Sequence, residues 1–248
     1  MAATLSCFST SIINKSLSKT SQEFSKHSPL YLKPAYQTSL EKIILHQRSI
    51  TPRATLDNNE LVSVPLILQG VEDSVKVLKT AAENRKVAAD EILDALTVIK
   101  SAKLDPSGFL DTLGGTESPG RTWMLIFNAE VGKKDMLKNG SYFPITAVQR
   151  FDAAAKRIEN GVFFGPIGYL TFEGRFSWKK KILAFVFEKV KIKVGPFDPL
   201  QISLGQKDER EPSTKDPFFI WLYVDEEIAV AQGRGGGIAF WCRCSRVA

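Results

Sequence analysis

The sequence predicts a mainly β fold: an antiparallel up-and-down β-barrel of about eight or nine strands, preceded by a short N-terminal helical segment. Three observations predict it. Apolar residues repeat at helical spacing before residue 103, and alternate with polar ones from Arg121 onward. Segments rich in aromatic and β-branched residues are separated by Gly, Pro and charged turns. Closing the sheet into a barrel would remove its exposed edges.

The first 53 residues have the composition of an organelle transit peptide. They contain ten Ser, five Thr and seven Lys or Arg, but only two acids. No run of about 7–15 apolar residues is present, which argues against a secretory signal. We expect cleavage near Arg53 and a plastid (chloroplast) location, with the mitochondrion as the alternative.

The expected transit peptide also contains both histidines of the chain, His27 and His46. The mature chain would therefore lack the commonest general base and metal ligand. Beyond Arg53 there are 26 basic and 25 acidic side chains, a net charge of +1, compared with +6 for the whole chain. The sequence therefore predicts no nucleic-acid partner. No stretch approaches the ~20 apolar residues of a membrane-spanning helix.

Residues 54–120 predict helices followed by a linker. Apolar residues between Leu61 and Lys103 repeat at turn spacing; they include Val71, Val75, Leu78, Leu93 and Leu96. Pro65 and Gly70 predict a break after a first short helix.

Residues 121–248 predict the barrel, which forms one domain with the helices. The predicted strands are Thr122–Asn128, Phe143–Asp152, Arg157–Phe164, Tyr169–Trp178, Ile182–Val194, Leu200–Leu204, Phe218–Val224, Ile228–Gln232 and Ile238–Arg246. Lys179–Lys181 reads as the charged connection of a hairpin. A barrel of this size holds side chains or one small apolar ligand.

The alternation predicts which residues line the interior. They are Trp123, Phe172, Phe176, Ile192, Phe240 and either Phe185 or Val186, because both faces of that strand are apolar. Trp123 either plugs one end of the barrel or is an ordinary core residue. Glu188 shares the face of Val190, so we expect it to point inward and form an ion pair with Arg175 or another neighbour. It would then orient a ligand head group or, less readily, act as a catalytic acid.

The chain lacks the common catalytic and phosphate-binding motifs, such as GxSxG, HExxH and GxxxxGK[ST]. The run Gly233–Gly237, which includes Arg234, lies between two strands and predicts a glycine hairpin rather than a phosphate loop. Cys242 and Cys244 share one strand face, so we expect two reduced core residues and no mutual disulfide. The sequence predicts neither a metal site nor a cofactor.

Acidic residues 225–227 mark a turn between two late strands. Solvated turn acids are the simpler interpretation, and a catalytic dyad is the alternative.

Four segments together resemble the plastid-lipid-associated protein (fibrillin) family. They are Gly120–Phe127, Gln149–Asp152 with the later Asn160, Leu170–Phe176, and Tyr223–Gly237. The resemblance covers about Leu61 to Val247 and implies a plastid protein with a lipocalin-like barrel. Such proteins associate with plastoglobules, thylakoids or stroma and act on prenyl-lipid metabolism, without established catalytic residues. The matching motif residues are Trp123, Asp225 before the last hairpin, and the final strand.

One departure from the family concerns the last hairpin. Gln232 stands where a basic residue is often found, and Arg234 supplies a basic residue two positions later. The loop Arg210–Asp216 and the ending Phe240–Cys244 also differ from the abundant coat-type members. These differences suggest a divergent, stromal subgroup. Some members of the family act with prenyl-lipid biosynthetic enzymes rather than as coat proteins, and the resemblance allows this chain to be one of them.

The sequence therefore leaves three alternative functions. The first is a non-enzymatic protein that binds or shields a prenyl lipid of the quinone, tocopherol or carotenoid type. The second is a protein-interaction scaffold whose barrel is filled by its own side chains. The third is a small barrel isomerase or cyclase with Glu188 or Asp225 as the acid.

Overall fold

A computed structural model describes residues 58–132, 136–205 and 210–245. Residues 60–248 belong to one compact unit. The expected transit peptide, residues 1–53, lies outside the described residues, and so does the predicted end of the last strand at Arg246.

Three helices precede the sheet: α1 (Asn58–Asn84), α2 (Ala89–Ala102) and α3 (Phe109–Gly114). The predicted break in α1 is wrong, because the helix continues through Pro65 and Gly70. A proline removes one backbone donor and a glycine costs about 1 kcal/mol. Burial of the apolar side of α1 over the sheet offsets these costs. No helix in the described ranges has the length and apolar character needed to cross a membrane.

Ten strands follow: β1 (Arg121–Val131), β2 (Leu137–Tyr142), β3 (Thr146–Asp152), β4 (Arg157–Phe163), β5 (Gly168–Lys179), β6 (Ile182–Val194), β7 (Leu200–Ser203), β8 (Phe218–Val224), β9 (Ile228–Gly233) and β10 (Ile238–Cys244). The nine predicted strands are all present; β6 and β8 have the predicted bounds, and the ends of the others are shifted. β2 was not predicted, since its sequence has no apolar alternation. It forms because Gly140 permits close packing: a Cβ there would lie 2.5 Å from Phe127 Cζ.

The strands form one antiparallel sheet. Their order is β10-β9-β8-β6-β5-β4-β3-β1-β2, and β7 pairs with β6 outside this path. β10 also pairs with β1, from Thr122 opposite Cys244 to Ala129 opposite Ile238. The prediction of a mainly β, antiparallel fold after an N-terminal helical segment is confirmed.

One face of the sheet packs against α1 and α2, and we call it the helix face. The buried side chains of this core are Val71, Val75, Leu78, Ile92, Leu96 and Ile99 from the helices, and Ile126, Phe127, Ile228, Val230, Ile238 and Phe240 from the sheet. Phe127 and Phe240 stack with ring centroids 6.2 Å apart. The helices are thus held to β1, β9 and β10 by apolar burial.

The other face carries a cluster of aromatic rings, and we call it the aromatic face. The rings that contact one another are Phe151, Phe172, Phe185, Phe187, Phe219, Trp221 and Trp241, with centroid separations of 5.2–5.9 Å. Phe151, Trp221 and Trp241 are at most 1% exposed. This second core is therefore filled by the protein's own side chains at the positions of these rings.

A β-bulge in β6 decides which of its residues join the aromatic face. Glu173 of β5 pairs with Lys189, but the next residue, Gly174, pairs with Phe187, so Glu188 is the extra residue. Phe187 contacts Phe172 on the aromatic face, and Val190 lies opposite Phe172 on that same face. The bulge requires glycine at 174, because a Cβ there would lie 1.9 Å from Val186 O.

Replacing Gly174 with alanine is expected to destabilise the fold by about 3 kcal/mol, since the obstacle is backbone and cannot rotate away. Gly235→Ala is the matched control, because nothing lies within 4 Å of its added Cβ; we expect a change within about 0.5 kcal/mol. Urea unfolding followed by tryptophan fluorescence measures both. Equal stability of the two variants would contradict the bulge.

Candidate functional site

The aromatic face changes character along the strands, and three cross-strand rows show how. Residues directly opposite each other in antiparallel strands share a face. The first row, called the buried row, consists of Phe151, Ile158, Gly174 and Phe187. Each of its side chains is at most 7% exposed, so this end of the face is closed to solvent.

The next row contains two amides, and we call it the polar row. It crosses six strands through Trp123, Gln149, Asn160, Phe172, Val190 and Ile202. Trp123 at one end of the row is 0% exposed, Val190 is 8% exposed, and Ile202 at the other end is 42% exposed. The row therefore runs from the core to an accessible strand.

The third row is apolar and accessible, and we call it the outer row. It consists of Ala147, Val162, Leu170, Ile192 and Leu200. The first four are half-buried, and Leu200 is 60% exposed. An apolar surface of this kind, continuous with a buried aromatic core, is the chemistry expected of an apolar ligand site.

Several predicted interior residues share the aromatic face, as expected. Phe172, Phe176, Phe185 and Ile192 lie on it, and so does Trp123. Phe185, opposite Phe176, resolves the ambiguity with Val186, which lies opposite Arg175 on the other side of the sheet. That these residues contact a ligand remains a prediction.

Phe240 does not lie with them. It is buried on the helix face, stacked on Phe127, and its neighbour Trp241 occupies the aromatic face instead. The prediction was wrong because the sequence does not show the register of β10 against β1. Arg243 of β10 lies opposite Trp123. Phe240, three residues before Arg243 in a regularly alternating strand, therefore lies on the other face.

Glu188 does not point inward either. Its carboxylate accepts hydrogen bonds from Arg157 Nη1 at 2.7 Å and Arg175 Nη1 at 2.5 Å, on the face opposite the aromatic rings. The expected ion pair with Arg175 is present, but the β6 bulge turns the residue outward. Partial burial opposes its ionisation, and the two guanidinium groups outweigh this, so its pKa lies below the ordinary value.

Two turns beyond the outer row expose large apolar side chains. Phe164 and Ile167 lie in the β4–β5 turn, and Val194 and Phe197 lie at the β6–β7 turn. Their exposed fractions run from 45% for Phe164 to 73% for Phe197. Gly195 N–H donates to Ile167 O at 2.8 Å, which holds the two turns side by side. The accessible end of the sheet thus ends in an apolar surface.

α3 packs against the start of β1. Trp123 is fully buried, and its indole N–H donates to Leu113 O at 2.7 Å. Arg121 Nη1 donates to Thr112 O at 2.7 Å. Trp123 therefore holds α3 against the sheet. The sequence did not predict α3, because the helix spans only six residues.

Asp225 organises the β8–β9 turn. Its Oδ1 accepts the backbone N–H groups of Glu227 and Ile228, both at 2.7 Å, and its Oδ2 accepts the Tyr223 hydroxyl. Lys79 of α1 lies 3.1 Å from Oδ2. Burial disfavours the charge of Asp225, but these donors outweigh burial and lower its pKa.

The neighbouring turn acids are also ion-paired rather than simply solvated. Glu226 contacts Arg121 and Arg243, and Glu227 contacts Lys79 at 2.7 Å. The turn therefore links α1, β1 and β10. These contacts give a structural role to the acids for which a catalytic dyad was the alternative interpretation.

The glycine run forms the predicted hairpin between β9 and β10. Gly233 N–H donates to Gly237 O at 2.8 Å, and Gly236 has a φ of +90°, which favours glycine. Arg234 Nη1 donates to Lys215 O at 2.7 Å. Arg234 thus ties the hairpin to the loop before β8.

Cys242 and Cys244 are free thiols. Burial raises the pKa of Cys242, and burial together with Cys242 raises the pKa of Cys244 to about 11. Both side chains are therefore protonated and poorly nucleophilic near neutral pH.

Two residues of the polar row appear in the sequence analysis only within the family resemblance and were not predicted as site residues. Gln149 and Asn160 lie directly opposite each other. The available signal was an amide at an alternating position between apolar residues, as for Gln149 between Ala147 and Phe151. Pairing that signal with Asn160 required the strand register.

A surface depression of about 420 Å³ lies elsewhere, between the α2–α3 connection and the β5–β6 hairpin. Pro106, Leu110, Asp111, Trp178 and Lys180 contribute to its lining. Trp178 is six residues from Phe172 along β5, which is about 20 Å in a strand. The depression is thus separate from the accessible end of the aromatic face.

Among the described residues, no group of three or more His, Cys, Asp or Glu side chains is placed to hold a metal ion. No family model matches the chain, and no curated protein matches it in sequence.

The ion-paired turn predicts a pH effect. The folded-state pKa of Asp225 lies below its unfolded value of about 3.9, so the carboxylate stabilises the fold above about pH 4, and this contribution is lost as pH falls through the folded-state pKa. Asp225→Asn should lower the free energy of unfolding at pH 7 by about 1–3 kcal/mol. It should also lose less stability than the wild type on acidification.

Asp94→Asn, an exposed change on α2, is the control and should follow the wild-type profile. Urea titrations at several pH values measure the three proteins. Parallel wild-type and Asp225→Asn profiles would contradict the role of this carboxylate.

Proposed function

We propose that this chain is a non-enzymatic plastid lipid-associated protein that binds or shields a prenyl lipid of the quinone, tocopherol or carotenoid type. The lipid lies over the outer row of the aromatic face. The sheet closes into a lipocalin-like barrel through β1 and β10. The proposed location is the plastid, in the stroma or in contact with plastoglobules or thylakoids, in keeping with the family resemblance.

The pairing of β1 with β10 supports closure. These strands lie at opposite ends of the main strand order, apart from β2, and pair over most of their length. Closure satisfies edge hydrogen bonds that an open sheet would present to solvent. It also places the aromatic face on the inside, in keeping with Trp221 and Trp241 being about 1% exposed.

The observation that carries the proposal is the half-buried outer row. Leu170 and Ile192 adjoin the buried aromatic core but retain solvent contact, while Leu200 and Ile202 on β7 are 60% and 42% exposed. Covering such surface with an apolar chain gains about 25 cal/mol per Å². A long prenyl tail matches the apolar character of this surface.

The acids named for an isomerase or cyclase favour a structural role. Glu188 and Asp225 have lowered pKa values and are held by cationic partners. A general acid at neutral pH needs a raised pKa instead. These two residues therefore support a binding function over acid catalysis.

A filled-barrel scaffold is the second candidate. The buried row and its aromatic neighbours occupy their space with the protein's own rings, which favours it. The exposed turns at Ile167 and Phe197 suit either function, since they offer an apolar contact to a lipid surface or to a prenyl-lipid biosynthetic enzyme.

Ile202→Ser should weaken binding of decylplastoquinone about tenfold, because it removes apolar contact worth on the order of 1.4 kcal/mol. Stability should change little, since the side chain is 42% exposed. Quenching of tryptophan fluorescence measures affinity, and thermal unfolding measures stability.

Val98→Ser is the matched control, a β-branched residue of α2 that is 40% exposed. It should leave quenching unchanged. Wild-type protein without quenching would refute lipid binding and favour the scaffold. Equal loss in both variants would place the lipid away from the outer row.

A further inference from the structure

Gln149 and Asn160 form an unsatisfied amide pair on the aromatic face. They lie opposite each other in β3 and β4, and Gln149 is 8% exposed. Within the described part of the chain, Gln149 Oε1 and Asn160 Oδ1 are buried and accept no hydrogen bond. Each unpaired buried acceptor costs about 1–3 kcal/mol of folding free energy. The pair therefore destabilises the fold unless a ligand or another group donates a hydrogen bond to it.

The pair lies between the buried row and the outer row of the aromatic face. Along β3 and β4, the buried row lies on one side of it and the outer row on the other. Across the sheet, Trp123 flanks Gln149 and Phe172 flanks Asn160. A molecule lying over the outer row therefore meets these amides where the accessible surface ends and the closed core begins.

Two donors on the same face are also without partners. The indole N–H groups of Trp221 and Trp241 are buried and, among the residues described, donate to no acceptor. Both rings belong to the aromatic cluster that includes Phe151, the next residue after Gln149 on this face of β3. The face thus offers unpaired acceptors and unpaired donors, which a hydroxyl group can complement because it both donates and accepts.

We propose that Gln149 and Asn160 bind the hydroxyl group of a long-chain phenol, with its ring against Phe172 and its apolar tail over the outer row. This rests on the proposed function and narrows the ligand to hydroxyl-bearing aromatic lipids. The ring of Phe172, which lies opposite Asn160, favours a flat ring through stacking. The hydroxyl donates its one hydrogen to one of the two amide oxygens, or shares it between them, and so reduces their desolvation cost.

The first test compares para-dodecylphenol with its methyl ether, which has the same ring and tail but no donor. Wild-type protein should bind the phenol about tenfold more tightly, the factor expected for one buried hydrogen bond. Calorimetry with cyclodextrin as the lipid carrier measures both affinities.

The second test replaces each amide with an apolar residue of similar volume, Gln149→Met and Asn160→Leu. The double variant should bind phenol and ether with equal affinity, and each single variant should lose part of the preference for the phenol, because one amide oxygen remains. Each should also raise the melting temperature of the unliganded protein, since an unpaired buried acceptor is removed. Gln201→Met is the control: this glutamine of β7 is exposed, and its replacement should alter neither result.

The outcomes separate the two proposals. Tight binding of both compounds by the wild type without discrimination would overturn the amide site and leave lipid binding standing. Binding of neither compound would overturn both. A lower melting temperature in Gln149→Met with phenol preference retained would also overturn the amide site, because it would show that the amides are satisfied within the protein or by buried water.

Discussion

The bulge at Glu188 is the constraint on which the aromatic face depends. Without an extra residue, β6 would alternate regularly. Phe185 and Phe187 would then point to one face of the sheet, and Val190 and Ile192 to the other. With it, all four face the same side as Phe172. The close backbone approach that makes the bulge possible requires Gly174, and the two arginines that bind Glu188 compensate its charge on the other side of the sheet.

Two further irregularities let one sheet serve two cores. In β1, an extra residue separates Leu125, opposite Trp241, from Phe127, opposite Phe240. In β8, a similar shift between Trp221 and Tyr223 separates an aromatic-face residue from one that packs toward the helices. Each strand can therefore supply large side chains to both faces. The ion pairs of the 225–227 turn then connect α1 to the same strands.

This arrangement leaves one end of the aromatic face closed and the other available. The closed end has α3 bonded to Trp123, and its rings pack against one another. The available end has half-buried apolar residues, two exposed apolar turns and, at the boundary, two amides without partners. Tight packing there would maximise stability, so an unfilled apolar surface beside unpaired polar atoms is the pattern expected where a fold is adapted to bind.

The amino-acid sequence alone determined that a helical segment precedes the strands, the order of nine of the ten described strands, and the common face of Phe172 and Phe176, because periodicity is local and the backbone obeys it. It predicted neither the positions of Glu188 and Phe240 nor the existence of β2. In β6, one extra residue reverses the alternation of everything after it, and whether it forms depends on how closely another strand approaches. For Phe240, the register of β10 against β1 decides the face. Gly140 and Gly174 mark those approaches, but only tertiary packing shows which atoms they admit. The pairing of Gln149 with Asn160 likewise follows from strand register, which residues distant along the chain decide together.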